Sequence, residues 1–241
     1  MRRFAPVVLL ATLALAPAAA DGDPASRITA SGLLRDIQAL SDDAMGGRGP
    51  GSPGDRMARA FLAKRLKEIG FEPGAPGGSW EQPVPIVGVT MQHPASWTFR
   101  AASGGEASFR WWDEFMGNSG VQAPKVAIEN AEVVFAGYAI EAPEFQWDDF
   151  KDADVKGKIL LILNDDPDWD PSLFAGKKRL YYGRWDYKYE SAARHGAAGA
   201  IIVHTEPSAG YGWNVVQTSW SGTSFELRGG DGPRVRLRSW M

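Results

Sequence analysis

"RWDYKYESAARHGAAGAIIVH", residues 184–204, contains a change of period that decides the fold. Its first half has the composition of a short helix and stops at Gly196, a residue suited to the left-handed position that ends helices. Its second half, "GAIIVH", is a β-branched apolar run of strand length. Upstream, "AEVVFAGYAI" (131–140) and "DVKGKILLIL" (154–163) repeat that strand composition. The order strand, strand, helix, strand predicts a small α/β unit. Its buried strands are expected at Val133–Phe135, Ile159–Leu163 and 200–203, and runs apolar on both faces call for cover on both sides. A composition change in "GNSGVQAPK" puts a boundary between Gly117 and Asn130. The chain then reads as an N-terminal part over 21–130 and an α/β domain over 131–241.

The N-terminal part opens with helices. "SGLLRDIQAL" (31–40) places Leu33, Leu34, Ile37 and Leu40 on one face, with Ser31 as the expected N-cap. "SPGDRMARAFLAKRLKEIGF" (52–71) has Ser52 as cap and Pro53 in the first turn. Met57, Phe61, Leu62, Leu66 and Ile69 form its apolar stripe, and Gly70 stops it. Between the helices, "GGRGPGSPGD" (46–55) spells G-x-G-x-x-G at Gly49, Gly51 and Gly54. A dinucleotide site needs a strand before such a turn, whereas a helix precedes this one. Pro50 and Pro53 also remove two backbone donors, and no Gly-Lys-Ser/Thr follows, so the segment reads as a tight helix-to-helix turn. Further on, "SWTFRAASGGEASFRWW" (96–112) predicts a hairpin closing at Ser103-Gly104-Gly105, with Trp97, Phe99, Phe109 and Trp111 alternating on its arms.

The first residues have the layout of an export signal: Arg2-Arg3, an apolar run, then Ala18-Ala19-Ala20 before Asp21. The run is confined between Pro6 and Pro17, short of the roughly 20 apolar residues of a membrane span. Residues 1–20 are therefore expected to be cleaved between Ala20 and Asp21, leaving a periplasmic or secreted protein without a membrane anchor. The chain has no cysteine, which excludes lipid modification of the lipoprotein kind and leaves stability to the core alone. Loss of Arg2 and Arg3 moves the formal charge from −3 to −5, a balance that excludes nucleic acid as a partner.

Nitrogen ligands are scarce. His93, His195 and His204 show no H-x-x-x-H or H-x-D spacing, and the H-x-E at His204 lacks the paired cysteines of a deaminase. His195 reads as a polar residue of the last helical turn. Asp166, Asp168 and Asp170 alternate like the start of a calcium loop, but the glycine and glutamate positions hold Pro171 and Lys177, so a solvated acidic loop is expected. No G-x-S-x-G elbow supports a serine hydrolase. "LYYGRWDYKYE" (180–190) crowds five aromatic rings around Arg184 and Lys188. Two readings stay open: rings packing the helix onto the sheet, or an aromatic wall on a substrate cleft with Tyr181, Tyr182, Arg184 and Trp185 as candidates.

"SDDAMGGRGPGSPGDRMARAFLAKRLKEIGFEPG", followed by "SWEQPVPIVGV", resembles the N-terminal portion of the co-catalytic zinc aminopeptidases, secreted metallo-exopeptidases of bacteria. "VVFAGYAI", "DVKGKILLILNDDP" and "YYGRWDYKYESAARHGAAGAIIVHTEPSAGYGW" resemble the protease-associated domain inserted into many of them. Together these segments cover essentially all of the chain after residue 20. The resemblance implies helices and strands of an α/β/α peptidase domain with an inserted protease-associated β/α domain. In the parent enzyme it implies two zinc ions, a bridging carboxylate, a glutamate general base and a peptide or protein substrate. The family's ligands begin with a His-x-Asp motif beyond the inserted domain, and none occurs here. By resemblance, this chain is expected to stop before the metal site, with no catalytic or metal-ligating residue and no bound zinc. A second class stays open: a non-catalytic binding module like the transferrin receptor ectodomain, which resembles the same architecture. Mass spectrometry of the exported protein is expected to find Asp21 at the N-terminus; an intact Met1 would overturn the signal assignment.

Overall fold

The computed structural model describes residues 23–229 and the backbone of Ser239 and Trp240. The expected signal segment and its cleavage site at Ala20 and Asp21 lie outside the described residues. The chain divides into two compact units, Met1–Gln82 and Pro83–Met241. Among the described residues no helix is long and apolar enough to cross a membrane.

In the first unit, α1 (Ala30–Leu40) starts earlier than its sequence suggests. Thr29, not Ser31, is the cap: its backbone is extended and its Oγ1 accepts from Gly32 N at 3.1 Å, leaving Ser31 inside the first turn. Helix α2 (Pro53–Glu68) is capped as expected by Ser52, whose Oγ accepts from Asp55 N at 3.1 Å, while the Asp55 carboxylate accepts from Gly51 N at 3.2 Å. The glycine run is a steric device. Gly54 is buried, and a methyl group there would run into the carbonyl oxygens of Met45 and Gly47. Arg65 on α2 grips Asp36 on α1 with two hydrogen bonds of 2.9 and 3.0 Å, which hold the Asp36 carboxyl below its usual range. The apolar stripes stay open: Leu33, Leu34, Ile37, Leu62 and Ile69 are all exposed. Two helices joined by a turn enclose too little volume to hide both stripes.

The second unit begins with β1 (Ile86–Val89), then the hairpin of β2 (Ser96–Arg100) and β3 (Glu106–Arg110). Trp97 pairs with Phe109 across the hairpin, and Gly104 and Gly105 supply the positive φ of its turn. There follow β4 (Val133–Phe135), a short ribbon of β5 (Glu141–Ala142) and β6 (Trp147–Asp148), and β7 (Ile159–Leu163). Helix α3 (Trp185–Arg194) crosses over to β8 (Gly199–Val203). After α4 (Glu206–Ala209) and α5 (Trp213–Trp220), β9 (Ser224–Leu227) returns antiparallel to β1, and β10 (Ser239–Trp240) joins the edge of β8. The central sheet is parallel throughout, in the order β10-β8-β7-β4, and the fold is α/β. In that edge pairing Ser239 stands opposite Gly199 and Trp240 opposite Ala200.

Helix α3 covers one face of that sheet, packing Tyr189 and Ala192 against Leu160, Ile162 and Ala200. It ends at Gly196 (φ 73°), where Gly196 N bonds to Ala193 O and Ala197 N to Ala192 O, both at 3.0 Å. This double closure needs the left-handed residue that the sequence supplies. The expected cover on both faces is not what the fold provides. Phe135 is 62% exposed and Val133 37%, because among the described residues no helix packs on the second face.

Helix α3 also buries a lysine completely. Lys188 Nζ donates to the carbonyls of Tyr138 and Asp165, each at 2.7 Å, in the loops that leave β4 and β7. Ser191 Oγ donates to Ala139 O at 2.7 Å, and Asp149 accepts from Tyr138 N and Ile140 N at 3.1 and 3.0 Å. Burial lowers the Lys188 pKa from 10.5 to about 7, against the carboxylates of Asp166, Asp149 and Asp165, which raise it. The Tyr138 and Tyr187 rings, 5.5 and 5.9 Å away, also favour the cation without outweighing desolvation. A neutral amine has two N–H groups, and both have a carbonyl here. Between pH 7 and 10.5 the unfolded chain binds more protons at this residue than the folded one, so stability is expected to climb across that interval. Urea unfolding of Lys188→Met should show that climb removed; an unchanged slope would refute the buried neutral amine.

Candidate functional site

The uncovered sheet face is one wall of an open cavity of about 1040 Å³. Val133 of β4, Leu161 of β7, and Ile201 and Val203 of β8 form its floor. Trp97, Phe99 and Phe109 of the hairpin form a second wall, buttressed by Phe115 stacked on Trp97 at 4.0 Å. Helices α3 and α5 supply the third. There Trp185, Tyr189 and Trp220 meet edge-on or tilted at 6.1 to 6.3 Å. Helix α5 is tied down by Trp213 Nε1 and Gln217 Nε2, which donate to Trp112 O at 2.9 and 3.0 Å just past the hairpin.

Two polar side chains stand where the strands end. Asn164 follows the last residue of β7 and His204 the last of β8, and those last residues, Leu163 and Val203, are register partners. This is the carboxyl edge of a parallel sheet, where open α/β folds bind ligands. Asn164 Nδ2 donates to Ser208 O at 3.1 Å, which fixes the amide with Oδ1 as a free acceptor. Among the described residues, three buried side-chain atoms lack a hydrogen-bond partner, and Asn164 Oδ1 and His204 Nε2 are two of them. Both residues line the cavity.

The four residues of the aromatic segment go to different places. Trp185 lines the cavity. Tyr181 and Tyr182 do not: Tyr181 OH donates to Glu190 at 2.9 Å, and Tyr182 OH donates to Glu144 within a cluster containing Phe145, Phe174 and Tyr187. Arg184 is exposed at the start of α3. The hairpin aromatics, Trp213, Trp220 and Asn164 were not legible as wall residues; their alternation showed a face, not what it faces.

Among the described residues no group of three or more His, Asp or Glu side chains is placed to hold a metal ion. His195, at the end of α3, stacks on Phe150 at 3.7 Å, with Nδ1 2.9 Å from Ser191 O and Nε2 3.5 Å from Glu141. The acidic loop is spent on its own chain. Asp168 pairs with Lys177 at 2.7 Å and Asp170 accepts from Ser172 N at 2.8 Å. Asp166 corrects the solvated reading: it is 2% exposed, accepts from Leu180 N at 2.9 Å, and burial raises its pKa.

Residues 121–230 match the family model of the PA domain, a span that includes the sheet strands β4, β7 and β8 and helix α3. No curated protein matches the chain. Among solved structures, the aminopeptidase from Aneurinibacillus sp. strain AM-1 is similar at 14% identity and a TM-score of 0.35. That match covers 89% of this chain and 45% of the other, so the chain spans less than half of that enzyme's length.

The bond to Glu144 raises the Tyr182 pKa to about 12 and leaves its hydroxyl committed. Ultraviolet titration is expected to show Tyr182 among the late-ionising phenols, with one fewer of them in Glu144→Gln as Tyr182 moves toward 10. No movement would free Tyr182 for a role in binding.

Proposed function

We propose that this chain serves peptide hydrolysis as the substrate-guiding part of an exported zinc aminopeptidase, with the two-zinc centre supplied by polypeptide other than these residues. The observation that carries this reading is the PA domain match over residues 121–230, a span that supplies the sheet floor and the α3 and α5 wall of the aromatic cavity. The glycine run folded as a turn into α2, and the open apolar stripes of α1 and α2, are consistent with the N-terminal part of a larger peptidase domain.

The described residues do not fit a zinc pair, since none converge as ligands. What the chain's own residues contribute is recognition. Rigid aromatic walls bind side chains at low entropic cost, and a wall formed by the PA domain selects which peptides approach the reacting centre.

The gene product spanning this segment is expected to release residues from aminoacyl p-nitroanilides, to lose at least about a hundredfold in rate with a zinc chelator, and to regain it with zinc. No hydrolysis across a panel of such substrates with zinc present would sink the peptidase reading and favour a non-catalytic binding module.

A further inference from the structure

We propose that the cavity is a binding site for one peptide group flanked by a large apolar side chain, with Asn164 and His204 as the pair that reads the peptide bond. The inference rests on the peptide-directed reading above and names the substrate class of the same module. Three observations meet here. The walls are aromatic on the hairpin, α3 and α5, which suits a ring or a branched aliphatic chain. The volume, about 1040 Å³, lies just above the roughly 300 to 1,000 Å³ of ligand pockets, room for more than one residue. At the carboxyl edge of the sheet, Asn164 Oδ1 and His204 Nε2 are buried without partners among the described residues.

Burying a polar atom without a partner costs about 1 to 3 kcal/mol, so a cavity-lining residue that carries such an atom marks where a ligand's polar group belongs. Asn164 Oδ1 can only accept, because its amide is oriented by the bond to Ser208. The ligand must therefore present an N–H or O–H to it. His204 Nε2, protonated in one neutral tautomer, donates to a carbonyl. A peptide bond presents an N–H and a C=O as neighbours. The His204 ring is held between Tyr211 and Trp213, with centroids at 5.5 and 5.6 Å, so its orientation is set before any ligand arrives.

The test is calorimetric titration of this chain with the blocked dipeptide acetyl-Leu-Phe-amide, with acetyl-Gly-Gly-amide, and with the ester analogue of the first in which the internal N–H is replaced by oxygen. The apolar dipeptide is expected to bind and the glycine one not to. The ester is expected to bind about tenfold more weakly, the effect of one hydrogen bond of about 1.4 kcal/mol. In Asn164→Ala the amide and ester should bind alike, and His204→Phe, which keeps an aromatic ring, should weaken the amide by a similar factor. Should either variant fail to fold by circular dichroism, the amide-to-ester ratio of the native chain still decides. Equal binding of amide and ester, equal binding of both dipeptides, or no binding would overturn the proposal. These results are independent of catalysis: a chain that binds in a protein that does not hydrolyse leaves the site standing and removes the peptidase, and the reverse removes the site alone.

Discussion

One buried amine organises the second unit. Lys188 joins the loops that leave β4 and β7 by donating to a carbonyl of each, and Ser191 and Asp149 secure the same turn from either side. Removing an ammonium from water is expensive unless it is fully paired or gives up its proton; burial here pushes the Lys188 pKa down to about 7, and the two hydrogens of the neutral form each meet a carbonyl. The carboxyl edge of the sheet is thereby a fixed platform. Asn164 immediately precedes the Asp165 carbonyl that Lys188 holds, so the amine that locks the core also positions the polar rim of the cavity.

Much of this architecture could be read from local chemistry. The strands at Val133–Phe135 and Ile159–Leu163 follow from β-branched runs, and Ser52, Gly70 and Gly196 mark helix ends because caps are decided within a few residues. What escaped was decided at long range. Thr29 and Ser31 are equally able to cap, and only the backbone shows which one is extended. Lys188 reads as a surface charge until two carbonyls from distant loops converge on it. A strand apolar on both faces calls for cover, but sequence does not say whether that cover is a packed helix or a hairpin standing off to leave a cavity.

The aromatic segment shows how one stretch serves two ends. Tyr187 goes into the core beside Tyr182, which closes a ring cluster through Glu144, while Trp185 and Tyr189, one turn apart on the same face of α3, both line the cavity. The helical period separates neighbours by about 100°, so packing and lining are not competing explanations for such a run. Each ring answers to its own azimuth.

The glycine run has a lesson about inheritance of motifs. Gly54 sits where the backbone of the preceding turn leaves no space for a side chain of any kind, so all other residue types are closed to it for one reason, clearance. Drift can rewrite the residues between the glycines, but not the glycine that touches the carbonyls. A glycine required by clearance alone can persist through descent as faithfully as one required by a ligand, and is spelled with the same letter. Lineages that share such a spelling need share no chemistry, only a helix that begins very close to the chain it has just left.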